Sequence, residues 1–287
     1  MAVRLTLEDV TYSYPLTGKG EESALAGVSF DVEPGEVLCV AGANGSGKST
    51  LAQVCAGLLA PTSGSLRYGG TRVSGRNGLR RFRAKAGLLF QNPECQLFAD
   101  TVEKDIAFGP HNLGLRGDEL AERVRRSAAV VGLSMDELGK RSPFALSEGQ
   151  KRRVALAGVL AREPEVLVLD EPFIGLDFEG AVCLREALEE YRTARRATVI
   201  VVTHELSHVW SLATSFALMA GGRLVRLENR ENLLRGDTDL AGLGMQLPQW
   251  GTIARELLRG GIPVGDPSDL RALAMAVSRG KGAPGGR

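Results

Sequence analysis

Charge of one sign is what this sequence lacks: 35 Lys and Arg stand against 34 Asp and Glu over 287 residues, a formal net charge of +1. With no global field, the chain cannot collect nucleic acid or anionic lipid over its whole surface, and any partner must be recognised locally. Cysteine is scarce too. Cys39, Cys55, Cys95 and Cys183 are far apart, so no disulfide framework is implied and a reducing compartment is expected. Long apolar runs are missing: the uncharged stretch from Val209 to Gly222 is too short and too polar to span a bilayer. The N-terminus carries Glu8 and Asp9 where a signal peptide would have its apolar core. No heptads are sustained, which excludes a long coiled coil.

What is present is a glycine-rich turn, Gly42-Ala43-Asn44-Gly45-Ser46-Gly47-Lys48-Ser49-Thr50, between the apolar run Val37-Leu38-Cys39-Val40 and a helix-like stretch from Leu51. The spacing is Gly, four residues, Gly-Lys-Ser. Glycines let backbone N–H groups turn inward around phosphates, the lysine reaches the outer phosphates, and Ser49 offers a hydroxyl to Mg²⁺. The following helix aims its N-terminus at the same anion.

Two further apolar runs, Val166-Leu167-Val168-Leu169 and Thr198-Val199-Ile200-Val201-Val202-Thr203, read as central parallel strands. The first ends in Asp170-Glu171 and the second in His204. Open α/β sheets bind ligands at that C-terminal edge. Asp170 is expected to hold Mg²⁺ and Glu171 to polarise an attacking water. Residues 1 to about 36 read as short alternating strands, with Leu16 to Ser23 as a polar loop. Tyr14, upstream of the cradle, suits either adenine stacking or simple strand packing. Arg72, Arg76, Arg80, Arg81, Arg83 and Lys85 read as a solvated helix face. Residues 92 to about 162 read as a helical insert with breaks at Gly109-Pro110, Gly114, Gly117 and Ser142-Pro143.

Within that insert, Leu146-Ser147-Glu148-Gly149-Gln150 reads by itself as a helix N-cap. In company it says more. The phosphate turn, Gln91, Leu-Ser-x-Gly-Gln, the strand ending in Asp170-Glu171-Pro172, Gly175-Leu176-Asp177 and Thr203-His204 follow in the order seen in ABC-type ATPases, which the chain resembles. The resemblance implies an α/β P-loop NTPase fold with an N-terminal antiparallel β-subdomain, a helical subdomain and a small C-terminal helical extension. It implies two subunits paired head to tail, with Ser147, Gly149 and Gln150 contacting ATP held by the partner and Asp177 linking the sites. Gln91 would sense metal and water, His204 would contact the γ-phosphate, and Tyr14 would stack on adenine. Position 148 is Glu where the family usually has a small residue.

The stretch from Phe90 through Gln91-Asn92-Pro93 to Gly109-Pro110 resembles the ATPase subunits of energy-coupling factor transporters, which include cobalt and nickel importers. That likeness implies a transmembrane coupling subunit docking near Asn92–Pro110, with Leu97, Phe98 and Phe108 at the contact, and a separate membrane subunit that binds the imported vitamin or metal ion. The ATPase itself would sit on the cytoplasmic face of the membrane and engage no nucleic acid. Residues 1–228 would form the nucleotide-binding domain (helical subdomain about 92–162), 229–279 a dimerisation extension, and 280–287 a disordered tail. Two C-terminal helices are expected: Gln249 to Arg259, with Ile253, Leu257 and Leu258 on one face, and Pro267 to Ser278, with Leu270, Leu273, Ala274 and Val277 on one face, each face needing the main domain or a second subunit to pack against.

Other readings are an ATPase of another ABC importer class, or a soluble ABC ATPase acting on nucleic acid, which needs a coiled coil or two cassettes in one chain. His204-Glu205-Leu206-Ser207-His208 also fits the His-Glu-x-x-His pattern of zinc metalloproteases, with Glu228 as a distant ligand. That motif requires both histidines one turn apart within a helix.

Overall fold

Alternating segments and continuously apolar segments build two different sheets. The computed structural model describes residues 3–15, 21–236, 238–265 and 270–281. The chain begins with β1 (Leu5–Pro15) and β2 (Glu21–Val32), paired antiparallel with Leu5 opposite Val32. The expected loop is shorter than the sequence suggests, because Glu21, Glu22 and Ser23 already lie in β2; residues 16–20 fall outside the described residues. Next come β3 (Val37–Gly42), α1 (Lys48–Cys55), β4 (Ser63–Tyr68), β5 (Thr71–Arg72), α2 (Gly75–Arg83) and β6 (Ala86–Leu89). Of α2 only Phe82 is buried, so its arginines form the solvated face the charge pattern predicts.

The helical insert contributes α3 (Val102–Asn112), α4 (Gly117–Val130), α5 (Met135–Leu138) and α6 (Glu148–Ala161). The break expected at Gly109-Pro110 does not occur, and α3 runs on to Asn112. Pro110 removes one N–H near the helix end, where the loss is small. The Gly109 and Pro110 carbonyls are still taken, by the Leu113 and Leu115 amides. The sheet resumes with β7 (Val166–Asp170), followed by α7 (Phe178–Arg195), β8 (Thr198–Thr203), β9 (Ser215–Ala220) and β10 (Arg223–Asn229).

Strands β1, β2, β4 and β5 form one sheet; the other has the order β10-β9-β3-β8-β7-β6. In the second sheet β3, β6, β7, β8 and β9 are parallel neighbours. A central strand covered on both sides needs apolar residues in both registers. In β3, Leu38 and Val40 face the N-terminal sheet and α1, while Val37, Cys39 and Ala41 face the helical layer. This register sets Gly42, Asp170 and Thr203 at one edge, where the chemistry lies.

The chain ends in α8 (Arg230–Arg235), α9 (Gln249–Arg259) and α10 (Leu270–Lys281). Leu233, Leu240, Met245, Ala254 and Leu273 are buried in the core that holds Val37 and Cys39, so the extension is continuous with the nucleotide-domain core. Its helices bury only part of each expected apolar face against the main domain. In α9 the small Gly251 and Ala254 face inward, with Leu257 and Leu258 beside them, whereas Ile253 is exposed. Gly251 packs against the side chains of Leu247, Pro248 and Leu234, and Trp250 meets Trp210 edge to face at 5.2 Å. In α10, Leu273 and Ala276 are buried and Ala274 is exposed. Residues 280 and 281, expected in a disordered tail, continue α10; 282–287 and Pro267 lie outside the described residues.

Candidate active site

The turn after β3 closes because two glycines occupy positions no side chain could share. A Cβ at Gly42 would lie 2.3 Å from the Met219 carbonyl oxygen, and one at Gly47, whose φ is 95°, would lie 2.5 Å from that of Ala24. Within the turn, the Lys48 Nζ donates to the carbonyls of Gly42 at 2.8 Å and Ala43 at 2.9 Å. Burial lowers the Lys48 pKa, and the nearby carboxylates of Glu171 and Asp170 oppose that shift. Two buried oxygens here, Ser46 Oγ and Asp170 Oδ1, have no partner among the described residues. Asp170 is raised above the ordinary carboxylate range, chiefly by burial; the Ser49 hydroxyl pulls it down and Glu171 pushes it up.

Glu171 follows β7 in the left-handed region, with φ 50°. This backbone sends the two adjacent carboxylates in different directions. Asp170 stays in the strand beside Ser49, whereas Glu171 turns toward the end of β8. Its Oε2 accepts from Thr203 Oγ1 at 2.9 Å, and its Oε1 accepts from the His204 amide at 3.0 Å and lies 2.6 Å from His204 Nδ1. Glu171 is thus a buried carboxylate aimed by a hydroxyl, an amide and an imidazole. Tyr14 stands above α1, its hydroxyl 3.3 Å from Thr50 Oγ1 and its ring edge-on to Tyr12 at 4.9 Å.

The structure brings together Tyr14, Gly42 to Thr50, Asp170, Glu171 and His204. It does not bring Ser147, Gly149, Gln150 and Asp177 to them. These belong to another surface, where Ser147, Gly149, Gly175, Asp177 and Gly180 line a cavity of 560 Å³. There Ser147 caps α6 in a capping box: its hydroxyl accepts from the Gln150 amide at 3.3 Å, and the Gln150 side chain accepts from the Ser147 amide at 3.1 Å. Asp177 caps α7 by accepting from the Gly180 amide at 2.8 Å. Glu148, the unusual residue of that motif, is exposed and pairs with Lys151 at 2.8 Å. Gln91 is exposed, and its carbonyl accepts from Arg152 Nη2 at 3.2 Å.

Two expectations are corrected here. Leu97 is buried in the helical subdomain, so of the three residues assigned to a membrane-partner contact only Phe98 and Phe108 are half-exposed; their rings meet edge to face at 4.6 Å. The metalloprotease arrangement does not form, because residues 204–208 are not helical. His204 is engaged by Glu171, His208 stacks on Phe173 at 5.4 Å, and Glu228 pairs with Arg226 on β10. Sequence reading also missed the approach of the C-terminal segment to the cradle. A Cβ at Gly244 would lie 2.8 Å from the Ala43 Cβ, and residues of 241–250 share a 770 Å³ cavity with His204 to Ser207. Its positive φ of 69° makes Gly244 a required glycine, but a glycine in a loop carries no record of its neighbour.

A glycine-rich anion cradle at a parallel sheet edge, with two unlike carboxylates and a histidine at adjacent strand ends, defines a P-loop nucleotide hydrolase. The family model for the ABC transporter matches residues 25–174, just over half the chain. The protein belongs to the ABC transporter family and is an ABC ATPase. More narrowly, the energy-coupling factor transporter ATP-binding protein EcfA2 of Clostridium acetobutylicum is 39% identical over 261 residues, covering 91% of each chain. That of Geobacillus kaustophilus is 39% identical over 280 residues, covering 96% of each. The chain belongs to this energy-coupling factor family. Among solved structures, CbiO1 of Clostridium perfringens, part of the ABC transporter complex CbiONQ, is 34% identical with a TM-score of 0.72, covering 87% of this chain and 97% of that one. A dimeric ATP-binding cassette bound to ADP and Pi in a post-hydrolysis state is 25% identical with a TM-score of 0.73, covering 79% and 98%.

Proposed function

We propose that this chain binds and hydrolyses ATP to energise a membrane importer of micronutrients, a vitamin or a transition-metal ion, of the energy-coupling factor type. The observation that carries the reading is the aimed Glu171 carboxylate beside the Lys48 cradle, in a chain similar to energy-coupling factor ATPases over nine-tenths of its length. Lys48 exchanges its two carbonyl partners for phosphate oxygens, and the amides of the Gly42–Thr50 turn cradle the remaining ones. Tyr14 stacks on adenine. A hard cation fits beside them, since Asp170 offers a buried carboxylate oxygen with no protein partner and the Ser49 hydroxyl adjoins it. Ser49, Asp170 and Gln91 would hold Mg²⁺, which neutralises charge on the phosphates when bound.

Glu171 accepts the proton of the attacking water. The Nδ1 of His204 is engaged by Glu171, which leaves Nε2 for the γ-phosphate. Ser147, Gly149, Gln150 and Asp177, being remote from this chain's own cradle, serve ATP bound by a second ATPase subunit across a head-to-tail interface. The charge of Glu148 is compatible with this because Lys151 pairs with it. Phe98 and Phe108, in the Asn92–Pro110 segment, meet a transmembrane coupling subunit at the cytoplasmic face of the membrane; a separate membrane subunit binds the imported substrate. Among the described residues no helix is long and apolar enough to cross a membrane. Phosphate release from Mg-ATP tests the reading: wild type turns over and Lys48→Ala does not. Equal rates in the two would overturn it.

A further inference from the structure

Glu171 is fixed at three points. Its amide donates to the Val202 carbonyl at 2.9 Å, its carboxylate bonds Thr203 and His204, and its own carbonyl accepts from Arg152 Nη1 at 2.7 Å, with the Ile174 amide a longer second donor at 3.4 Å. The first two anchors lie on β8 and the residue after it. The third comes from α6, the helix that Ser147 caps. The same guanidinium donates through Nη2 to the Gln91 carbonyl at 3.2 Å, at the head of the Asn92–Pro110 segment. Burial lowers the Arg152 pKa, while Glu171 and Glu148 oppose that shift; a guanidinium in this range stays charged at neutral pH.

A guanidinium is a rigid plane with donors in a fixed fork, so one plane sets how far apart two carbonyls can sit. The left-handed backbone of Glu171 makes this constraint consequential. A side-chain-bearing residue holds that conformation only where its surroundings over-determine it. Removing one anchor lets the peptide relax and re-aims the carboxylate. No bond among the described residues joins Arg152 to the Gly42–Thr50 turn, so the nucleotide cradle is untouched by such a change.

From this geometry we infer that Arg152 is a positioning residue that ties the carbonyl of Gln91 to that of Glu171, so that a displacement of the Gln91 segment moves the backbone carrying the catalytic carboxylate. The inference rests on the role proposed for Glu171. It makes the segment that faces the membrane partner and the carboxylate that activates water two ends of one side chain. Its signature is a loss of turnover without a loss of nucleotide affinity, because only the aim of the base changes.

The test compares steady-state Mg-ATP hydrolysis and binding of a fluorescent ATP analogue in wild type, Arg152→Met, Arg152→Lys and Arg153→Met. Arg153, next on α6, donates to the Gly132 carbonyl at 3.2 Å and to no other acceptor among the described residues. Arg152→Met is expected to lower kcat by about tenfold or more, as a misplaced reacting group does, with KM and analogue affinity unchanged within about twofold. Arg152→Lys keeps the charge but cannot span both carbonyls, and its kcat is expected between the two. Arg153→Met is expected to retain wild-type kcat. Wild-type turnover in Arg152→Met or in Arg152→Lys overturns the positioning role, as does an equal loss of kcat in Arg153→Met, which would mark general weakening of α6. An inactive wild type overturns the ATPase reading itself, a separate outcome from these.

Discussion

Replacing Glu171 by Gln separates the chemistry of this residue from its part in the fold. Gln keeps the length and shape of Glu, and the surrounding donors allow it to be seated. Thr203 Oγ1 lies 2.9 Å from Glu171 Oε2 and 3.3 Å from the Glu205 carbonyl. Its hydrogen can swing to that carbonyl, leaving the hydroxyl oxygen to accept from the new amide. The other side-chain oxygen still accepts from the His204 amide. What is lost is the charge assistance of these bonds, about 1 kcal/mol from the difference between charged and neutral hydrogen bonds, or about 2–4 °C in melting temperature. The catalytic loss is larger. Removing a general base costs about 10²- to 10⁴-fold in rate, or about 3–5 kcal/mol of barrier. Phosphate release from Mg-ATP, single-turnover hydrolysis and thermal unfolding of the same preparations measure both quantities. The variant is expected to bind ATP, to unfold within a few degrees of wild type and to accumulate as an ATP-bound closed dimer. Hydrolysis at the wild-type rate would refute the assignment of Glu171 as the base.

Asp170→Asn tests the buried carboxylate in the opposite direction. Burial raises the native pKa of Asp170 above its ordinary value, so the native state binds the proton more tightly than the unfolded chain. Stability of the nucleotide-free protein therefore falls as pH rises from the ordinary Asp range through the raised native value. Asp170→Asn should flatten that slope in thermal unfolding from the ordinary Asp range upward, raise stability at neutral pH and abolish the Mg²⁺ dependence of ATP protection; an unchanged slope would contradict it. Ser147→Ala removes the hydroxyl of the α6 capping box. It should cost about 1 kcal/mol in denaturant unfolding and leave ATP binding by the isolated chain intact, while lowering the turnover of the paired subunits. Full turnover after such a loss of stability would show that Ser147 is only a cap.

Local chemistry made the cradle legible. The Gly42–Thr50 turn depends on glycines that permit close approach and on a lysine at fixed spacing, and both are written in consecutive residues. The central strands were legible for a related reason, since burial on both faces leaves an unbroken apolar run such as Val166 to Leu169. What escaped is set by partners distant in sequence. The inward face of α9 is chosen by Trp210 and the core beneath, so Ala254 rather than Ile253 turns in. Leu97 and Phe98 are adjacent apolar residues with opposite fates, because the Phe98 and Ala99 amides are both held by Asp105 at 2.9 Å and that turn sends one side chain inward and the other out. Arg152 acts on backbone carbonyls, which every residue possesses, so neither end of its bridge leaves a mark in the sequence.

The central claim is that ATP hydrolysis here serves a membrane importer, and it is tested most directly by what the chain carries when extracted from membranes. Tagged wild-type protein purified from detergent-solubilised membranes of its own host should retain an integral membrane subunit at a fixed ratio. A Phe98→Asp, Phe108→Asp double variant should lose that subunit while still binding Mg-ATP, because the two half-exposed rings sit far from the cradle residues in the chain. Wild-type protein that hydrolyses ATP but emerges with no integral membrane partner would contradict the account.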